Sequence, residues 1–273
     1  LLNKKALRIK LDNRSKYLRQ LIVQALIGGG RGHMGSAMSL VEILRVLYDE
    51  FIKINPKKPK NENRDRLILS KGHGCLAQYV VLADKGFFDK KELETLRKFG
   101  SRLQGHPERT KLPGLENTSG PLGSGLSQAA GAAYTLQYLD KNPKRFVYVI
   151  TGDGELNEGN IWEAAMFSSH HNLTNLVGII DYNHLQGFGT TDEVLNLEPL
   201  ADKFISFGWS VHKIDGHNYE QLNNTFKNVT KSENGPTMII AETIKNQGFD
   251  LKFKKMWDDN LVLKDFWYES FSV

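Results

Sequence analysis

Cysteine is almost absent from this 273-residue chain. Cys75 is the only one, which excludes an internal disulfide and fits a reducing, cytoplasmic compartment. It follows Lys71-Gly72-His73-Gly74 and precedes Leu76 and Ala77, the setting of a buried structural thiol. Long apolar runs are lacking too. None reaches the ~18 residues that a membrane span needs, and the N-terminus alternates charge with Leu instead of forming a signal-peptide core. The chain opens on Leu1, as a trimmed start or an unusual initiation would. Nor does one charge dominate: 36 Lys and Arg against 31 Asp and Glu leave a formal +5. The basic residues are scattered, and their one dense patch, Lys53 to Lys60, is a short loop broken by Pro56 and Pro59. No basic stripe with interleaved aromatics is present, which argues against a nucleic-acid module. Internal repeats and low-complexity tracts are absent as well.

What is present is enough apolar sequence, 40% of residues, to bury a full core. The expected unit is one domain spanning 1–273. Arg14 to Ile27 carries Tyr17, Leu18, Leu21, Ile22, Ala25 and Leu26 at three-and-four spacing, an amphipathic helix stopped by Gly28-Gly29-Gly30. Gly28 to Gly35 is expected as a loop bearing His33, closed by Ser36 at the next helix start. Helices are expected over 40–51, 75–85, 90–99, 123–139, 195–207 and 219–229, and strands over 66–70, 146–150, 176–181, 209–214 and 238–242. Strands alternating with helices throughout predict an α/β fold, a doubly wound, mostly parallel sheet flanked by helices. Gly100 to Leu122 is a long Gly- and Pro-rich excursion, a length that usually marks function. The tail 247–273 lacks a period but carries Trp257, Phe266, Trp267, Tyr268 and Phe271, the composition of a partner-contact surface.

The chain is organised around Thr151 to Asn183. Thr151-Gly152-Asp153-Gly154 ends the apolar run that begins at Phe146, a helix follows from Glu158, and Leu176 to Asp181 is the next strand. This βαβ unit brings Asp153 and Asn183 to the same edge of a parallel sheet. Two hard oxygen ligands and a backbone carbonyl make half of an octahedral Mg²⁺ shell, which a phosphate-bearing group can complete. Either residue alone reads better as an ordinary strand-end Asp or turn Asn; the spacing of the two reverses that in favour of a metal.

Gly-Asp-Gly followed about thirty residues later by Asn resembles the thiamine-diphosphate fingerprint. Gly32-His33-Met34-Gly35-Ser36, Ser70-Lys71-Gly72-His73, Gly105-His106-Pro107, Gly120-Pro121-Leu122-Gly123 and Glu158-Gly159 with Trp162-Glu163-Ala164 stand in the order seen in transketolases. The resemblance runs from about Leu18 to Asp258, and it is to the N-terminal, diphosphate-binding subunit of a split transketolase. It implies the thiamine-diphosphate-binding fold, with Mg²⁺ held by Asp153, Asn183 and the carbonyl of Leu185. Thiamine diphosphate would be contacted by Ser36, His73, Gly120, Leu122, Asp153, Gly154, Glu155, Asn183 and Lys245. His33, His106 and His73 would serve catalysis, because ketol transfer removes one hydroxyl proton and returns another, work suited to imidazoles. Glu158 and Glu163 match positions that link paired active sites; by themselves they also read as helix-start carboxylates.

The glutamate that activates the cofactor belongs, in the family, to a domain this chain does not resemble. A C-terminal transketolase subunit is therefore the implied partner, in a heterotetramer of two plus two chains, inactive when separated and acting on sugars or sugar phosphates. Two alternatives remain at this point: a half of another thiamine-diphosphate enzyme, of decarboxylase or deoxyxylulose-phosphate synthase type, and a silent scaffold. The Ser-Lys-Gly-His and Gly-His-Pro motifs favour transketolase. Departures occur at Asp258, where Trp-His-Gly is usual after Trp257, and at Asn246-Gln247, where Gly-Lys or Gly-Arg is common. At Asp258 either the side chain points elsewhere, or the donor substrate differs, or the correspondence slips in this tail. The segment from Asp181 to Thr191 resembles family branches of specialised sugar pathways, which implies substrates other than the central pentose phosphates.

Overall fold

The apolar runs become strands because side chains on both faces are covered. The computed structural model describes residues 10–142, 144–230 and 234–248. Five strands, β1 (Arg66–Leu69), β2 (Val147–Gly152), β3 (Leu176–Tyr182), β6 (Ser210–Asp215) and β7 (Thr237–Glu242), pair in the order β1-β2-β3-β7-β6, every pair parallel. A two-stranded hairpin, β4 (Leu185–Gln186) with β5 (Gly189–Thr190), stands outside the sheet. The helices are α1 (Asn13–Gly29), α2 (Met34–Ser39), α3 (Val41–Val46), α4 (Cys75–Asp84), α5 (Ser124–Tyr134), α6 (Gly159–His170), α7 (Thr191–Leu195), α8 (Leu200–Ser206) and α9 (Tyr219–Val229).

Strand residues alternate between two cores, as the pleat requires. Leu67, Leu69, Tyr148, Ile150, Val177 and Ile179 pack with α1, α3, α4 and α9, while Ile68, Val147, Val149, Leu176 and Ile180 pack with α5, α6 and α8. The doubly wound α/β architecture expected from the sequence is the one observed. Register places Gly152 opposite Asp181 and Tyr182 opposite Glu242, so the carboxyl ends of β2, β3 and β7 lie side by side. Ligands in open α/β sheets bind beyond this edge.

Helix boundaries differ from expectation near the site. The α1 helix continues through Gly29 and ends on Gly30, whose φ of 78° closes it, and α2 begins at Met34. The loop bearing His33 is thus only a few residues long, and Ser36 is buried inside α2 instead of closing that loop. Asp12 caps α1 by accepting from the N–H of Ser15 at 2.8 Å, a bond worth about 1 kcal/mol. The hairpin and α7 went unforeseen, since two-residue strands carry no period.

The start of α5 is the tightest joint near the sheet edge. A methyl at Gly125 would stand 2.2 Å from Ser70 Oγ and 2.7 Å from its Cα. Gly125→Ala should therefore cost about 1–3 kcal/mol through overpacking, read as a lower midpoint in thermal melts.

Candidate functional site

Three chain segments bring histidines to this edge. His33 stands at the N-terminal end of α2, His73 lies in the turn Gly72–Gly74 after β1, and His106 lies on the long Gly/Pro-rich loop. The His33 ring centroid is 5.7 Å from that of His73 and 6.2 Å from that of His106. The turn can press against the loop because residue 72 is glycine: a Cβ there would meet Ser119 Oγ at 2.4 Å and the His106 ring at 3.1 Å. Cys75 and Tyr79 of α4 anchor the same loop. The thiol donates to the Gly105 carbonyl at 3.2 Å, and the Tyr79 hydroxyl faces the carbonyls of Gln104 and His106 at 3.1 Å each. The thiol is buried, as its sequence setting suggested.

The Asp153–Asn183 pairing is direct. Asp153 Oδ2 accepts from the backbone N–H of Asn183 at 2.9 Å and from that of His184, and Oδ1 accepts from the N–H of Gly154 at 2.8 Å. Both amides can turn toward one oxygen because His184 takes a left-handed φ of 63°. Asn183 Oδ1 accepts from the N–H of Leu185 at 3.1 Å. A carboxylate has about four acceptor positions and an amide oxygen two, so each side chain retains one for a cation. Leu185 opens the hairpin, and Gln186 of that hairpin covers Gly154, where a Cβ would approach it to 2.6 Å.

Behind this pair lies a polar hub that sequence reasoning did not identify. Asp181, wholly buried at the end of β3, accepts from Lys71 Nζ, from Ser39 Oγ at 2.6 Å, from Thr243 Oγ1 and from Asn183 Nδ2 at 3.4 Å. Burial alone would raise its pKa, but Lys71 and the hydroxyls hold it below the usual carboxylate value. Asp153 goes the other way, pushed up to about 6 by burial and then by the negative charge of Asp181. One signal could have found the hub: Asp181 and Lys71 are charges closing apolar runs, where an unpaired charge would be too costly to bury.

Cationic groups crowd the same spot. The Lys245 ammonium has its pKa lowered by burial first and the charge of Lys71 second. His73 lies well below its ordinary value through burial, then Lys71, His33 and Lys245, so its imidazole is neutral at pH 7. His106 is lowered by burial and by Arg97. An anion set among Lys71, Lys245 and His73 would relieve this mutual repulsion.

Other candidates fall in different places. Gly120 and Leu122 are exposed. The Glu155 carboxylate turns inward, accepting from Ser70 Oγ, from the N–H of Gly123 at 2.8 Å and from that of Gly152 at 3.1 Å. It ties the Gly120–Gly123 segment to β1 and β2. Glu158 and Glu163 are exposed along α6, and Glu158 makes no side-chain capping bond. Among the described residues no group of three or more His, Cys, Asp or Glu is placed to hold a metal. No helix among them is long and apolar enough to cross a membrane. Asp258 and the aromatic tail lie outside the described residues.

Residues 12–256 match the family described as "Transketolase, thiamine diphosphate binding domain". The chain belongs to the transketolase family. It is 40% identical over 257 residues to the 6-deoxy-6-sulfo-D-fructose transketolase subunit SqwG of Clostridium sp. (strain MSTE9), covering 94% of this chain and 93% of that one. With an apulose-4-phosphate transketolase subunit of Phocaeicola vulgatus it shares 40% identity over 238 residues, 87% of this chain and 84% of the relative. Human transketolase is 38% identical across 90% of this chain, yet this match takes in only 39% of the human protein. The structure superposes on transketolase from Leishmania mexicana with a TM-score of 0.79 at 32% identity, covering 86% of this chain and 37% of that one. This transketolase-family chain thus corresponds in length to proteins named as subunits, and to little more than a third of the single-chain transketolases.

Proposed function

We propose that this chain is the diphosphate-binding half of a two-chain transketolase, moving a two-carbon ketol unit from a ketose to an aldose with thiamine diphosphate and Mg²⁺. The observation that carries this is the meeting of Asp153 and Asn183 beside Lys71, His73 and Lys245 at the carboxyl edge of the sheet. One free acceptor position on each of Asp153 and Asn183, with the Leu185 carbonyl, suits Mg²⁺, which takes few carboxylates and leaves the remaining positions to phosphate oxygens and water. Lys245 and His73 would hold the diphosphate, with Ser36 and Gly154 beside it and Gly120 and Leu122 along the ring. Thiamine diphosphate, when bound, supplies the carbon chemistry of the transfer.

The chain's own residues manage protons and position. His33 and His106 stand across from one another, and a neutral imidazole can accept the ketose hydroxyl proton, then return one to the acceptor aldehyde oxygen. Neutral His73 can donate one N–H to a phosphate oxygen without adding to the charge of Lys71. Glu158 and Glu163 face outward and are free to meet a second active site. The sizes of the subunit relatives support a partner chain that brings the remaining domains, in a two-plus-two assembly. The sulfo-sugar and apulose-phosphate names of those relatives support an acidic sugar outside the central pentose phosphates as substrate.

Calorimetry with thiamine diphosphate and Mg²⁺, run with and without the partner chain, tests this. Uptake is expected, and ketol transfer only when both chains are present; no uptake in either setting overturns the proposal. A pH dependence follows from Asp153, which must be ionised to hold the cation. Burial and Asp181 push its carboxyl up to about 6, so uptake should weaken roughly tenfold per pH unit below that value and level off above it. The same titration measured for folding has the opposite sense. A carboxyl raised above its unfolded value makes the metal-free chain less stable as pH climbs from about 4 to about 6.

A further inference from the structure

The segment after β7 is held at four points around one residue. Thr243 Oγ1 donates to Asp181, and the N–H of Ile244 donates to His217 Nε2 at 2.9 Å. The N–H of Asn246 donates to the Gly35 carbonyl at 3.3 Å, and the Gln247 carbonyl accepts from Arg19 Nε at 2.8 Å. Lys245 is the residue between these holds. Its stem packs against α2 at Gly35, where an added Cβ would meet Lys245 Cγ at 3.0 Å and Asn246 Oδ1 at 2.9 Å. Its ammonium lies within electrostatic reach of Lys71, Asp153 and Asp181.

Two of the four holds lead back to one buried cluster. Arg19 of α1 gives Nη1 and Nη2 to Glu42 of α3 at 2.6 and 2.9 Å, and His217, from the turn between β6 and α9, meets Glu42 Oε2 through Nδ1 at 2.8 Å. Because His217 Nε2 accepts from a backbone N–H, the ring proton is on Nδ1 and is donated to Glu42. The bonds from His217 and Arg19 overcome burial and hold the Glu42 carboxyl down at about 2. All three side chains are buried. Such a cluster is weak grounds for stability, since well-packed apolar residues often serve as well. What it has that apolar residues lack is direction. His217 Nε2 ends on residue 244 and Arg19 Nε on residue 247, one on each side of Lys245.

We propose that Arg19, Glu42 and His217 are positioning residues for Lys245, fixing the backbone on both sides of it so that its ammonium is presented to the anionic end of the cofactor. This rests on the function proposed above. Arg19, Glu42 and His217 act through the main chain, and their effect on anion uptake is exerted through Lys245.

The test is calorimetric titration of Mg²⁺ and thiamine diphosphate into the full chain assembled with its partner subunit, for wild type, His217→Leu, His217→Gln, Arg19→Lys, Lys245→Met and the His217→Leu/Lys245→Met double variant. Outer-shell partners typically contribute 10–100-fold, so His217→Leu should weaken uptake by about tenfold or more. His217→Gln, whose amide keeps one donor and one acceptor, should recover most of that loss. Arg19→Lys keeps a charge for Glu42 but gives up the hold on Gln247, and should weaken uptake in a chain that still melts cooperatively. In the Lys245→Met background, His217→Leu should add nothing, because the group being positioned is gone. A merely structural role predicts that the two losses multiply, and that result overturns the inference. So does full affinity in folded Arg19→Lys, or a His217→Gln no better than His217→Leu. Failure of the wild-type assembly to take up the cofactor would instead sink the proposed function, and the positioning role with it.

Discussion

Asp153→Ala is expected to abolish uptake of thiamine diphosphate, and excess Mg²⁺ is expected not to restore it. Asp153 is the one carboxylate among the three oxygens assigned to the cation, so the substitution removes its only full opposing charge. It also frees the backbone N–H groups of Asn183, His184 and Gly154, which converge on that carboxylate. The left-handed turn at His184 then loses what it is folded around, and the Leu185 carbonyl loses its place with it. Since outer-shell changes alone reach about a hundredfold, the loss of this ligand should exceed that. Titration calorimetry and assay with the partner chain both read it, and normal turnover would refute the metal assignment. Asp153→Asn separates most of the two parts: its one amide oxygen can still accept from Asn183 and His184 and keep that turn, while the Gly154 N–H loses its acceptor and the charge is lost. The chain should therefore fold with a slightly lowered midpoint and still fail to take up the cofactor.

The second large effect belongs to Asp181. Asp181→Ala leaves Lys71 buried without its anion and takes an acceptor from Ser39, Thr243 and Asn183. Breaking a buried pair from one side costs about 3–5 kcal/mol, and for a chain of this size the melting midpoint should fall by roughly 6–20 °C. Removing both charges with apolar replacements, Lys71→Met with Asp181→Leu, should cost less than Asp181→Ala alone, because no stranded ammonium remains. A readout apart from stability accompanies it. Asp181 helps raise the Asp153 carboxyl and Lys71 lowers it, so in Asp181→Ala the pH below which uptake weakens should move downward.

Much of this was legible in the residues because the motifs sit where strands end. The run from Phe146 into Thr151-Gly152-Asp153-Gly154 and the later Asn183 fixed a sheet edge, and histidines beside glycines marked turns that can crowd one another. The helix 219–229 was read to its ends because Leu222, Phe226 and Val229 keep a clear period and Asn218 caps it. Local pattern failed where long-range bonding decides. Nothing near Glu42 in the sequence announces Arg19 or His217, which is 175 residues away. Nothing near Glu155 in the sequence shows that its carboxylate turns toward Ser70 and Gly123. Ser36 looked like the start of a helix because the glycines before it suggested a longer loop, whereas α1 runs through two of them.

The hub at Asp181 has a mechanical consequence. Lys71 follows β1, Asp181 is the penultimate residue of β3 and Thr243 follows β7, so three strand tips are pinned to one carboxylate. A crevice with such a floor cannot widen by parting its strands. Beside that floor the short ribbon of β4 and β5 rests on Gly154 through Gln186 and carries Phe188 almost fully in solvent. Uptake of a ligand at this edge is therefore expected to leave the spacing of the three strand tips unchanged.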